Sequence, residues 1–176
     1  MIDIVIFDFD GLILDTETPE YDAWQEIYGE FGVSMPLEVW GKSIGQRAGT
    51  FDPLAHLEIT AGCEIPRLEI KERHQLRFHN LLQKEALRPG ITSYLDDADR
   101  LGVKLAVASS ASRDWVEGHL IRHDIAHRFG CIVTVEDATH AKPDPELFNL
   151  ALTRMSAPAD RAVVLEDSPN GLLAAN

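Results

Sequence analysis

Four short apolar runs constrain this chain more than any other feature: residues 2–7, 103–108, 131–135 and Ala162–Leu165. Each is nearly continuous in Val, Ile, Leu and Ala instead of alternating with polar residues, as in strands covered on both faces. Helical patterns separate the later runs. Ile91–Leu101 is stopped by Gly102 in the C-cap position, and Arg113–Arg122 follows the second run. Residues 145–155 form a third pattern, with Asp144 as N-cap and Pro145 at the first helical position. Strand, helix and strand in alternation predict an α/β fold built on a doubly wound parallel sheet.

One segment breaks the alternation. Between the first and second runs there is no strand pattern, only helical stretches at 21–31 (closed by Gly32), 53–60 and 66–87, before Pro89-Gly90 marks the return. The expected organisation is therefore an α/β core over 1–15 and 88–176, with an all-helical insertion over 16–87 acting as a cap. Trp24, Trp40 and Trp115 read as packing residues. His119, His123 and His127 recur every fourth residue and read as a partly exposed helix stripe without acids around it.

Charge narrows the partners. The formal net charge is −13, which argues against nucleic acid or an anionic membrane, since both need a basic face. The same field repels a phosphate ester unless a cation sits locally. Cys63 and Cys131 are far apart and in no CxxC pattern, so they read as buried thiols in a reducing, cytoplasmic protein. No apolar stretch approaches the ~20 residues of a membrane span.

Ligands of open parallel sheets bind beyond the carboxyl ends of the strands. Asp8 and Asp10 follow the first run, and Ser109 and Ser110 the second. The third leads to Glu136, Asp137 and then Lys142; the fourth to Glu166, Asp167 and Ser168. Desolvated carboxylates are costly unless paired, so two acids one residue apart at the end of the first run, Asp8 and Asp10, call for a cation or a reaction. Oxygen ligands of this kind suit Mg²⁺, and Ser109 and Lys142 suit the oxygens of a phosphate.

Four stretches, DFDGLILDTE, VASSAS, AKPDPELF and VLEDSPNG, in order and each at a strand end, resemble the four motifs of the haloacid dehalogenase superfamily. The helical insertion resembles the C1 cap of its β-phosphoglucomutase and phosphoglycolate-phosphatase-like branch. The resemblance implies a Mg²⁺-dependent phosphatase acting on a small phosphorylated metabolite. Asp8 would be the nucleophile that forms an aspartyl-phosphate. Asp10 would be the acid that protonates the leaving oxygen and then the base that activates water, with its backbone carbonyl towards the metal. Ser109, with Ser110 beside it, and Lys142 would hold the phosphoryl group. Asp8, Asp10, Glu166 and Asp167 would make up the metal site, with Glu166 bound directly or through water. The cap would choose the substrate through Thr16, the 20–24 face including Glu20, and the loop around Gly45, Gln46 and Arg47.

Two departures matter. Sugar-phosphate mutases of this branch carry a histidine where Glu20 stands, which favours a phosphatase over a mutase. The resemblance also implies a further strand and helix beyond Asn176, so the C-terminal edge of the core reads as truncated, bare unless a second copy covers it. The protein would then be a monomer or a homodimer. The other classes weighed are a signalling receiver domain, which lacks the helical insertion and any acid like Asp10, and a catalytically inactive interaction protein.

Overall fold

The computed structural model describes residues 2–41 and 51–176; Gly45, Gln46 and Arg47 lie outside the described residues. The chain divides into two compact units, Met1–Leu14 with Ala86–Asn176, and Asp15–Glu85. In chain order β1 (Ile4–Phe7) is followed by α1 (Glu17–Glu30), α2 (Leu37–Trp40), α3 (Pro53–Ala61) and α4 (Arg67–Leu82). The alternation then runs α5 (Ile91–Leu101), β2 (Lys104–Ala108), α6 (Arg113–Arg122), β3 (Cys131–Val133), α7 (Glu146–Met155), β4 (Ala162–Leu165) and α8 (Pro169–Ala175).

The first unit has the expected α/β architecture. Its four strands form one parallel sheet in the order β3-β2-β1-β4. The register pairs Phe7 with both Val107 and Leu165, and Ala108 with Val133. Side chains alternate across the sheet, and Ile4, Ile6, Ala106, Ala108 and Val133 bury against Leu147, Phe148 and Ala151 of α7 and Ala174 of α8. Each fully buried aliphatic or aromatic side chain there contributes about 1.5–3 kcal/mol. Phe7 has the opposite parity and meets Phe129 edge-on at 6.0 Å. β4 lies at the edge of the sheet, with Val163 exposed.

The second unit is all-helical among its described residues. Trp24, Ile27, Tyr28, Met35, Trp40, Leu57, Ile65 and Ile70 form its core. Glu30 of α1 pairs with Arg73 and Arg77 of α4, and Asp52 caps α3 through the Leu54 and Ala55 N–H groups. No helix among the described residues is long and apolar enough to cross a membrane.

Several expected boundaries shift for local reasons. The third strand ends at Val133, not 135, because the Thr134 N–H donates to the Asp137 carboxylate and starts a 3-10 turn at Val135–Asp137. α1 begins before Tyr21: Asp15 accepts the Thr18 N–H at 3.0 Å, and Pro19 falls in the first turn, where a missing N–H costs nothing. α4 stops at Leu82, not 87, because Leu87 bridges Leu14 and the Arg88 N–H donates to the Ile13 carbonyl. Asp144 does accept the Glu146 N–H, but α7 starts at Glu146 with Pro145 as its N-cap. The histidine stripe dissolves, since α6 ends at Arg122: His123 is its C-cap and His127 lies in a separate 3-10 turn. Cys63 is exposed and Cys131 half-buried, not both buried.

Candidate active site

The carboxyl ends of β1, β2 and β4 place the expected residues close together, and the register explains why. The Asp8 N–H donates to the Leu165 carbonyl at 2.9 Å, continuing the β1–β4 ladder one step past the last strand pair. That step brings Asp8 level with Glu166. On the other side, the Ser109 N–H donates to the Val133 carbonyl at 3.0 Å, which holds Ser109 at the end of β2.

Lys142 joins the strand ends. Its ammonium donates to Asp8 Oδ1 at 2.5 Å and to Glu166 Oε2 at 2.7 Å, and it lies 4.8 Å over the Phe148 ring. The lysine side chain is 6% exposed, that of Asp8 10% and that of Glu166 0%. Glu166 is engaged on its other oxygen as well, where Oε1 accepts from the Ser168 N–H and hydroxyl at 3.1 and 2.8 Å. Asp167, by contrast, faces solvent. Two glycines make the cluster possible. A Cβ on Gly11, which has φ +73°, would collide with the Asp167 carboxylate, and one on Gly171 would collide with that of Glu166.

Ligand oxygens of Asp8, Glu166 and Asp167 all lie within 4.8 Å of one another. Three carboxylates against one ammonium leave excess negative charge in a partly desolvated place, and the pKa values register it. Burial, helped by Glu166 and Asp10 and opposed by Lys142, pushes the Asp8 carboxyl up to about 7. Burial and Glu166 also raise that of Asp167. A cation placed beside Asp8 would favour its ionised form and bring that pKa back down. The donor set, carboxylate oxygens with one of them open to solvent, fits a hard divalent ion such as Mg²⁺.

The remaining expected residues fall as follows. Ser109 is 1% exposed, and its Oγ accepts the Ala111 N–H at 3.0 Å, leaving its hydroxyl hydrogen to be donated. Ser110 is turned towards the lysine loop, its Oγ accepting the Lys142 N–H at 3.3 Å. Asp10 Oδ1 accepts the Trp115 indole N–H at 2.9 Å. Thr16 is the N-cap residue of α1 and Glu20 lies in its first turn, both in the helical unit. Trp24, within the expected 20–24 contact face, is instead a core residue stacked on His74 at 3.9 Å. Arg47 lies outside the described residues. Glu136 and Asp137 are taken up structurally: Glu136 accepts the Arg113 N–H, and Asp137 is gripped by Arg113 and Arg154, which holds its carboxyl down at about 2. A second group joins the exposed loop residues His140 and Asp144 to half-buried Glu146 at the start of α7, whose carboxylate accepts the Thr139 and His140 N–H groups.

Sequence reasoning missed Trp115, Gly171 and the Ser168–Glu166 contact. Nothing near Trp115 in the sequence signals its role, because an aromatic in a helix reads as packing until the sheet order brings α6 beside the β1 loop.

The family model for haloacid dehalogenase-like hydrolases matches residues 5–176. YhcW of Bacillus subtilis is 43% identical over 175 residues, spanning 99% of this chain and 79% of that protein. The phosphorylated carbohydrates phosphatase of Thermotoga maritima is 29% identical over 176 residues, spanning 99% and 80%. Among solved structures, CbbY from Rhodobacter sphaeroides in complex with phosphate aligns with a TM-score of 0.71 at 31% identity, covering 99% of this chain and 82% of that one.

Proposed function

Because the chain belongs to the haloacid dehalogenase-like hydrolases, we propose that it is a Mg²⁺-dependent phosphatase of a small phosphorylated metabolite, a sugar phosphate or phosphoglycolate-like ester. The observation that carries this reading is the shared ammonium of Lys142 between Asp8 and Glu166, with Asp167 converging beside them. The phosphorylated-carbohydrate activity named for the Thermotoga maritima relative supports the substrate class.

The residues divide the work as follows. The Asp8 carboxylate attacks phosphorus in line, the bond to the leaving oxygen breaks, and Asp10 gives that oxygen its proton. The Asp10 carboxylate then takes a proton from water as the water oxygen attacks the aspartyl-phosphate, which releases inorganic phosphate and restores Asp8. Lys142 and the Ser109 hydroxyl hold equatorial oxygens as their charge grows, the main catalytic task in phosphoryl transfer. Ser110 supports the lysine loop by accepting the Lys142 N–H. Asp8, the Asp10 carbonyl and Asp167 would hold the cation, with Glu166 anchoring Lys142 or reaching the ion through water; bound there, Mg²⁺ supplies charge neutralisation on the phosphoryl oxygens and keeps Asp8 ionised. Thr16, Glu20 and Arg47 are the proposed specificity positions of the helical cap. Free thiols at Cys63 and Cys131 fit a cytoplasmic setting.

The test is phosphate release from a panel of small phosphate esters, with Mg²⁺ and with chelator, comparing wild type with Asp8→Asn. Mg²⁺-dependent release that the substitution abolishes is the expected result. Release that survives Asp8→Asn, or conversion of a sugar phosphate to its isomer without free phosphate, would overturn it.

A further inference from the structure

The third motif holds more than its lysine. Glu146 stands four residues after Lys142 in AKPDPELF, at the first position of α7, and its carboxylate turns back onto the loop that precedes the lysine. Oε1 accepts the Thr139 N–H and Oε2 the His140 N–H, each at 2.9 Å, and Oε2 also meets His140 Nδ1 at 3.1 Å. The Glu146 N–H is itself tied to Asp144 Oδ1 at 3.0 Å. Thr139, His140 and Ala141 are exposed, so hydrogen bonds rather than packing set their path. Bonds to an ionised acceptor are about twice as strong as neutral ones. One carboxylate thus clamps two successive N–H groups of an exposed segment.

The clamp sits close to the ammonium. Lys142 lies two residues beyond His140, which keeps their Cα atoms within about 7 Å of each other. Further along the same helix, buried Phe148 sets its ring 4.8 Å from the Lys142 ammonium. α7 therefore meets the lysine loop through Glu146 and the end of the lysine side chain through Phe148, while Leu147, Phe148 and Ala151 bury the helix against the sheet. We infer that Glu146 is a positioning residue for Lys142: by clamping the Thr139 and His140 N–H groups it holds the ammonium at the ends of β1 and β4, where Lys142 meets Asp8 and Glu166. The consequence for catalysis rests on the phosphatase reading above, in which that ammonium holds the phosphoryl oxygens.

Chemical accessibility of the lysine tests the placement without any substrate. Native protein is acetylated with an N-hydroxysuccinimide ester and digested for mass spectrometry. Lys142, whose side chain is 6% exposed, should react far more slowly than exposed Lys71 and Lys84. Losing one hydrogen bond to a charged group shifts an opening equilibrium by about 10-fold or more. Glu146→Ala should therefore raise the Lys142 rate by about 10-fold or more and leave Lys71 and Lys84 unchanged. Glu146→Gln keeps one carbonyl acceptor and should fall between. Half-buried Cys131 on β3 reports general loosening through its thiol reactivity, which should stay constant. An unchanged Lys142 rate, or a rise matched at Cys131, overturns the inference. In wild type the Thr139 and His140 amides should be protected from hydrogen exchange, and unprotected amides refute the clamp however the variants fold. A misplacement of about 1 Å can cost on the order of 10²-fold in rate, so kcat/KM for the best phosphate ester should fall by about 10-fold or more in Glu146→Ala. Full kcat/KM in that variant overturns the catalytic role. Wild type that releases no phosphate from any ester overturns the phosphatase reading instead, and the labelling alone then decides the placement.

Discussion

Replacing Lys142 by Met removes the cation that two carboxylates share while keeping most of the aliphatic volume over Phe148. The ammonium lies 2.5 Å from Asp8 and 2.7 Å from Glu166, with side-chain exposures of 6%, 10% and 0%. Solvent screening is slight at that burial, and taking one partner out of a buried ion pair costs about 3–5 kcal/mol. In a chain of this size each kcal/mol moves the melting temperature by roughly 2–4 °C, so melting of the α/β unit should come roughly 6–20 °C earlier in chelator at about pH 8.5. The pH sign follows from Asp8. Burial raises its folded pKa from the ordinary 3.8 to about 7, so the protein loses stability as pH rises through that window. Lys142 is the strongest influence holding that carboxyl down; without it the pKa climbs further and the loss continues to higher pH. The gap between wild type and Lys142→Met should therefore widen from about pH 6 to about pH 8.5. Thermal melts followed by circular dichroism read this directly. An equal gap at both pH values, or one below about 1 kcal/mol at the higher pH, would refute the shared-ammonium argument, because an exposed pair contributes about that much or less.

Two further substitutions probe the metal cradle and the helical unit. Gly11→Ala puts a Cβ into the Asp167 carboxylate at φ +73°; the left-handed backbone alone costs about 1–2 kcal/mol, and the thermal stabilisation by added Mg²⁺ should shrink beyond that general loss. A variant that keeps the full Mg²⁺ response would place the metal elsewhere. His74 is buried and stacked on Trp24, and burial pushes its imidazole down to about 4, with Arg77 adding and the Glu20 carbonyl opposing. The unfolded chain then takes up the proton first as pH falls below 6.5, so the helical unit loses about 3 kcal/mol between there and pH 4. His74→Phe keeps the stack and should flatten that acid limb of the stability curve, and an unchanged limb would show that His74 is not the group responsible.

Much of the α/β unit is legible from hydrophobic pattern because a parallel sheet buried on both faces leaves no other place for runs such as residues 4–7 and 105–108. The ends of the first and fourth strands are legible for the same reason: the first charged residue after each of those two runs, Asp8 and Glu166, is where the apolar run stops. The boundaries that moved did so where a side chain outbid local propensity. Asp137 closes β3 early because Thr134 and two arginines converge on it, a contact between residues up to 24 apart that no local pattern contains.

Strand order is the piece a single sequence hides, and it decides what the motifs mean together. With β1 between β2 and β4, the step after Phe7 and the step after Leu165 fall side by side, so the first and fourth motifs become one carboxylate cluster. Glycine in DFDG reads as a turn residue in isolation, and it is one. Its missing Cβ is also the space that the Asp167 side chain occupies from across the sheet. The same order brings the start of α6 to the β1 loop, which converts Trp115 from a packing residue into the partner of Asp10. Local chemistry thus marks the candidate residues, while the register between distant strands decides which oxygen of each faces the lysine or the indole.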